Sequence, residues 1–78
     1  MSITNLQIAD SVTSVTPSDS TVLAPGVLYV GTGGNVNVKT VSGETVVFTN
    51  VQDGSILYVM VTQVLSTSTT ASNILILR

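Results

Sequence analysis

Val27-Leu28-Tyr29-Val30-Gly31-Thr32-Gly33-Gly34-Asn35-Val36-Asn37-Val38-Lys39-Thr40 is the stretch from which the fold is read. Val27 to Val30 is β-branched and aromatic, the composition of a strand. Asn35 to Thr40 alternates strictly. Val36 and Val38 point to one side, Asn35, Asn37 and Lys39 to the other, which is the period of a half-buried strand. Between them, Gly31-Thr32-Gly33-Gly34 can supply the positive φ angles of a tight hairpin, so two paired strands are expected here. The glycines do not read as a phosphate cradle. The lysine and hydroxyl of G-x-x-x-x-G-K-[ST] are missing, and a strand follows where that loop needs a helix.

Downstream the pattern continues. Ser42-Gly43 predicts a second hairpin turn, and Glu44 to Asn50 a strand with Val46 and Phe48 on one face and Thr45, Val47 and Thr49 on the other. Asp53-Gly54 is a turn signal. Ile56 to Leu65 is the most apolar strand and is expected to be buried on both faces. Ser66 to Ser72 reads as a loop, and Asn73 to Arg78 as a short final strand whose terminal charge suits a sheet edge. Val and Thr make up about a third of the chain, and no stretch shows helical spacing of its apolar residues. Turn signals every 8–12 residues or so predict an all-β domain, a small antiparallel sandwich or barrel of five to six strands. It spans residues 25–78 and follows an extended N-terminal arm, residues 1–24. In the arm, Ile3, Leu6, Ile8, Val12 and Val15 are irregularly spaced, and Pro17 and Pro25 interrupt any ladder. The arm has three readings: an edge strand, a crossing to a neighbouring subunit, or a disordered tail.

Composition narrows the function. The chain has 78 residues, enough for one domain that buries only about 60% of its unfolded surface. Scaffolds of this size lean on disulfides, metals or oligomerisation. Cysteine and histidine are both absent, which removes disulfides, zinc sites built on them and a histidine base, and leaves self-association. Only 8% of residues are charged, against about 25% in an average soluble domain. Lys39 and Arg78 are the only basic side chains, too few for the roughly six phosphate contacts that nucleic-acid binding takes. The apolar run Ile56 to Leu65 is about half of the ~20 residues a membrane-crossing helix needs. The first residues show no basic or apolar region of a signal peptide, so no membrane partner and no secretion are expected.

No constellation carries chemistry. Asp10, Asp19, Glu44 and Asp53 lie far apart, without the ligand spacing of a calcium loop, and read as solvated turn and arm residues. Serines abound, but a nucleophile needs an adjacent base, and Lys39 on a strand's polar face is the sole formal partner. The chain is not expected to be an enzyme or to hold a metal or other cofactor. Tyr29, Tyr58 and Phe48 are its only aromatics, fewer than a carbohydrate platform usually exposes. The candidate interface residues are Ile3, Leu6, Ile8 and Val12 in the arm, with Tyr29 and Tyr58 on strands; Tyr29 shares its face with Val27 rather than with Leu28 and Val30.

Leu28-Tyr29-Val30-Gly31-Thr32-Gly33-Gly34-Asn35-Val36-Asn37-Val38, followed by Gly43, Val46, Phe48, Val51, Gly54 and Leu57, has a recognisable order. Val59-x-Val61-x-x-Val64-Leu65 and Thr69-Thr70-Ala71-x-x-Ile74 complete it, and Val15 to Thr21 fits the usual lead-in. The pattern resembles a family of small head-associated virion proteins of tailed phages, including spike-base proteins of phage-like gene transfer agents and capsid decoration proteins. It departs from that family at Tyr58, where proline is common, and at Asn35, where an acidic residue is common. The resemblance implies a non-enzymatic protein, made in the host cytoplasm, that self-associates as a trimer or pentamer. Its implied partner is the major capsid protein or another head protein, on the outside of the virion. The rival reading is a tail-fibre or glycan-binding module.

Overall fold

The computed structural model describes residues 11–78. They form six strands: β1 (Val12–Val15), β2 (Gly26–Thr32), β3 (Gly34–Thr40), β4 (Thr45–Val51), β5 (Ser55–Leu65) and β6 (Ser72–Leu77). All belong to one antiparallel sheet in the order β1-β6-β2-β5-β3-β4. The all-β class and the strand number follow the sequence. The sheet is open, with β1 and β4 as its edges, and is not closed into a barrel.

β5 organises the whole. Its first part pairs with β2, through Leu28↔Leu57 and Val30↔Ser55, and its last part with β3, through Asn37↔Leu65 and Val38↔Val64. The sheet therefore has two halves, β1-β6-β2 with the start of β5, and β3-β4 with its end. Leu28, Val30, Ile74 and Ile76 of the first half and Val36, Val38 and Val64 of the second fall in one buried cluster with Val61 and Ala71. The halves therefore cover each other across a bend in β5, with Leu23 of the link after β1 packed against the same cluster. The layers of the expected sandwich are thus two parts of a single sheet. Each large aliphatic buried this way contributes about 1.5–3 kcal/mol.

Within β5 the inward parity changes. Leu57 and Val59 pack on the core with Val61, yet Val64 is inward as well. The β3–β5 register shifts between Lys39 and Thr40, so an extra residue near Thr62 swaps the faces. This lets one continuous strand serve two layers.

Three expectations are corrected. β2 and β3 do not form a hairpin, because β5 lies between them. Gly31 to Gly34 is instead a corner that carries the chain from one half to the other. The Gly33 N–H donates to Asp53 Oδ1 at 2.6 Å, and a Cβ at Gly33 would collide with the Val51 carbonyl. Gly34 adopts φ +153°, a backbone angle L side chains rarely take. Strand-glycine-strand reads the same for a hairpin and a corner, since long-range pairing decides which forms. Among the described residues, the one hairpin between neighbouring strands joins β3 and β4 at Ser42-Gly43, where Gly43 has φ +96° and its N–H donates to the Thr40 carbonyl.

The second correction concerns β6, which is not an edge. β1 adds outside it through Val12↔Leu77 and Val15↔Ile74. Arg78 then closes a corner, with Nε donating to the Ala24 carbonyl and its backbone exchanging hydrogen bonds with Ser11. The third correction concerns β5, which is not buried on both faces. Ile56, Tyr58 and Met60 are exposed along its first part, because no layer of the described residues lies outside them.

The described part of the N-terminal arm lies on the same chain's sheet. β1 is an edge strand, and beyond it the Ser18 and Leu23 N–H groups donate to the carbonyls of Val64 and Thr62. Asp19 fastens this link. Its carboxylate accepts from the Thr67 N–H at 3.1 Å and the Thr67 hydroxyl at 2.6 Å. The Thr67 hydroxyl, then the Thr67 N–H, holds the Asp19 carboxyl below its ordinary value of 3.8. The sequence reading of Asp19 and Asp53 as merely solvated carboxylates missed both of these structural hydrogen bonds.

Candidate interaction surfaces

The two outward faces of the sheet differ in chemistry. In the β3-β4 half, register places Asn37 opposite Val47 and Leu65, and Lys39 opposite Thr45 and Gln63. This face is mostly polar, as the alternation of Asn35, Asn37 and Lys39 predicts. Part of it is roofed by the loop after β5. The Asn37 N–H donates to Thr69 Oγ1, Asn37 Nδ2 donates to the Thr67 carbonyl, and the Asn35 carbonyl accepts from the N–H groups of Thr70 and Ala71. Asn37 is buried as a result, and its Oδ1 has no partner among the described residues.

In the other half the outward face is apolar. Val12 lies opposite Leu77, and Leu77 opposite Val27; Leu75 lies opposite Tyr29, and Tyr29 opposite Ile56. Tyr58 and Met60 extend the row along β5. Ser14, opposite Leu75, and Asn73, which a Cβ on Gly31 would meet at 2.9 Å, are the polar interruptions. Tyr58 is 86% exposed, Val12 59% and Met60 49%. Tyr29 is half-buried, its hydroxyl beside Gly54.

Of the candidate interface residues, the structure brings Val12, Tyr29 and Tyr58 onto this one face. Ile3, Leu6 and Ile8 lie outside the described residues. The sequence reading missed Val27, Ile56, Met60, Leu75 and Leu77 as members of the same surface. A signal was present: Val27-Leu28-Tyr29-Val30 and Ile74-Leu75-Ile76-Leu77 are continuous apolar runs, which mark strands apolar on both sides.

The β4 edge is a second surface. No charged residue occurs between Thr45 and Val51, and Val46 and Val47 are both more than two-fifths exposed. An uncharged open edge is a template for strand addition.

Among the described residues no group of three or more His, Cys, Asp or Glu side chains could hold a metal ion, and no helix is long and apolar enough to cross a membrane. What the arrangement offers is contact area and backbone edges.

No protein-family model matches the chain, and no curated protein matches it. Among solved structures, it is similar over its whole length to a chain in a structure described as the capsid of the native GTA particle, computed with C5 symmetry. The identity is 36%, the TM-score 0.79, and 100% of both chains is covered. Full coverage includes the corner at Gly31 to Gly34 and the bend in β5 as well as the strands. The chain belongs to the same family as that capsid chain, the small head-associated virion proteins of tailed phages and phage-like gene transfer agents that its residue pattern resembles.

Proposed function

We propose that the chain is a non-enzymatic structural protein of a phage-like particle, bound to the outside of the capsid as a decoration or cement protein or as the base of a head spike. The full-length likeness to a chain of the GTA capsid structure carries this reading. Its physical support is a surface that works by contact. One outward face is apolar, the β4 edge is open and uncharged, and few charges must be desolvated on docking. Copies self-associate as a trimer or pentamer and touch the major capsid protein or another head protein. Repetition on a lattice then adds avidity to modest single contacts. The N-terminal arm, residues 1–24, is proposed as a unit distinct from the β domain of residues 25–78, and Ile3, Leu6, Ile8 and Val12 as its contact residues.

The test is a protein count on purified particles combined with imaging. The chain should be present in a fixed multiple of the fivefold or threefold sites and lie outside the shell. Absence from mature particles, or a position at the tail tip alone, sinks the reading.

A further inference from the structure

Among the described residues nothing packs on the apolar outward face of the β1-β6-β2 half, and the core lies on the other side of the sheet. Both halves use their inner faces on the shared core, so the difference between their outer faces is not set by that core. Every described charged side chain avoids the apolar face. Lys39 is on the outward face of the other half, Glu44 in the β3-β4 turn, Asp53 in the turn before β5, and Asp19 in the link after β1. Arg78 follows the inward parity of Ile74 and Ile76, and its Nη1 donates to Thr13.

We propose that this face, centred on Tyr29, Ile56, Tyr58 and Leu75 and bounded by Val12, is the particle-facing side of the chain, seated on an uncharged, aliphatic surface of the capsid shell. The inference rests on the reading of the chain as a capsid-exterior protein. Charge decides the chemistry of the partner surface. A face with no charge to offer would leave charged groups of a partner buried and unpaired, at a cost of several kcal/mol each. Symmetry disfavours the same face of a second copy. Two identical faces can meet only about a twofold axis, and that contact ends at a pair, whereas ring contacts join two different patches. The unlike β1 and β4 edges can supply those, and the related chain's place in a capsid structure makes the shell the partner assigned to the apolar face. Tyr58, an exposed aromatic beside Ile56 and Met60, has the character of an interface anchor. The polar face around Lys39 then points to solvent.

The experiment adds purified chain back to particles made in cells that lack it, and counts bound chain per particle. Tyr58→Asp and Val12→Asp alter side chains that are mostly exposed, and thermal melting verifies that both variants keep the fold. Lys39→Glu, on the outward face of the inner strand β3 in the other half, is the control. Tyr58→Asp should lower occupancy at least tenfold, Val12→Asp should weaken it in the same direction, and Lys39→Glu should stay within twofold of the wild type. Native mass in solution should be the same for all. If Tyr58→Asp and Val12→Asp bind like the wild type, or Lys39→Glu loses as much as they do, the face assignment is overturned while the capsid reading stands. A fall of the Tyr58→Asp native mass to a monomer would instead make the face a self-contact and overturn the assignment. Failure of the wild type itself to bind brings down the capsid reading and the inference with it.

Discussion

The two halves of this sheet are built from similar residues and share one core, yet they meet their surroundings differently. β3 alternates Val with Asn and Lys, and β4 turns Thr45 and Thr49 outward together with Val47, so that half is apolar inside and mainly polar outside. β2 and β6 do not alternate, and that half is apolar on both sides. Strands apolar on both faces normally belong to sheets covered on both faces. Among the described residues no second layer covers that side, and a partner molecule is the cover proposed for it. The difference between the halves therefore separates what the fold needs from what the assembly needs.

The shared core is the feature most easily broken. Val38 and Ile76 sit on opposite halves and are both fully buried. Val38→Asp and Ile76→Asp should each abolish folding, because an unpaired buried carboxylate costs several kcal/mol, a large part of a small domain's stability. Circular dichroism and solubility of the two variants check this. If either gave a cooperative melt near that of the wild type, the halves would not depend on a common interior.

The corner between the halves comes next. Gly33→Ala places a methyl against the Val51 carbonyl, which is backbone and cannot swing away. Overpacking of this kind costs about 1–3 kcal/mol, or roughly a 5–20 °C fall in Tm for a domain of this size. Gly43→Ala has open space around its Cβ and suffers only the unfavourable φ, a penalty of about 1–2 kcal/mol. Thermal melts of the two variants compare the corner with the true hairpin; a loss at Gly33 below about 1 kcal/mol would contradict the corner geometry.

Inner and outer faces of the same half, read on β6 and β5, differ more sharply than the two glycines. Ile74→Ala should cost about 2–5 kcal/mol. Tyr58→Ala, a change at an exposed side chain, should stay within about 0.5 kcal/mol in the isolated chain. Denaturant melts read both. A large loss at Tyr58 would mean that its ring supports the fold and is not held ready for a partner.

Much of this was legible in the residues. The strands, the common facing of Val36 with Val38 and of Val46 with Phe48, and the turn at Ser42-Gly43 follow from alternation and turn chemistry, which are local. The corner at Gly31 to Gly34 was not legible, because whether β2 pairs with β3 or with β5 depends on contacts far along the chain. The position of β6 was missed for a related reason. The terminal charge of Arg78 suggests an edge, but Val12 to Val15 returns from the other end of the sequence to cover it. The outward apolar face was half visible: Tyr29 was placed correctly, whereas its neighbours Leu75 and Ile56 come from strands whose register no local pattern fixes.

The link between β1 and β2 gives the subtlest handle, and one with a defined pH window. It is fastened to the β3-β4 half through Asp19 and Thr67. The carboxyl pKa of Asp19 is lower in the folded chain than its ordinary 3.8, first because of the Thr67 hydroxyl and then because of the Thr67 N–H. A carboxylate held below its unfolded value contributes stability that is fully present above that value and is lost as pH falls through the folded pKa. The fastening should therefore be unchanged from neutral pH down to about 5 and loosen only below about 4. Because the group is exposed, the effect on global stability is small and belongs to the link alone. Hydrogen exchange of the Thr67 amide, corrected for its intrinsic pH dependence, should keep its protection through the ordinary carboxylate value of 3.8 and lose it only at lower pH. Asp19→Asn keeps an acceptor oxygen but cannot titrate, so its Thr67 protection should be lower at neutral pH and flat across the same range. Protection in the wild type that fell already between pH 7 and 5 would show that a different group controls the link.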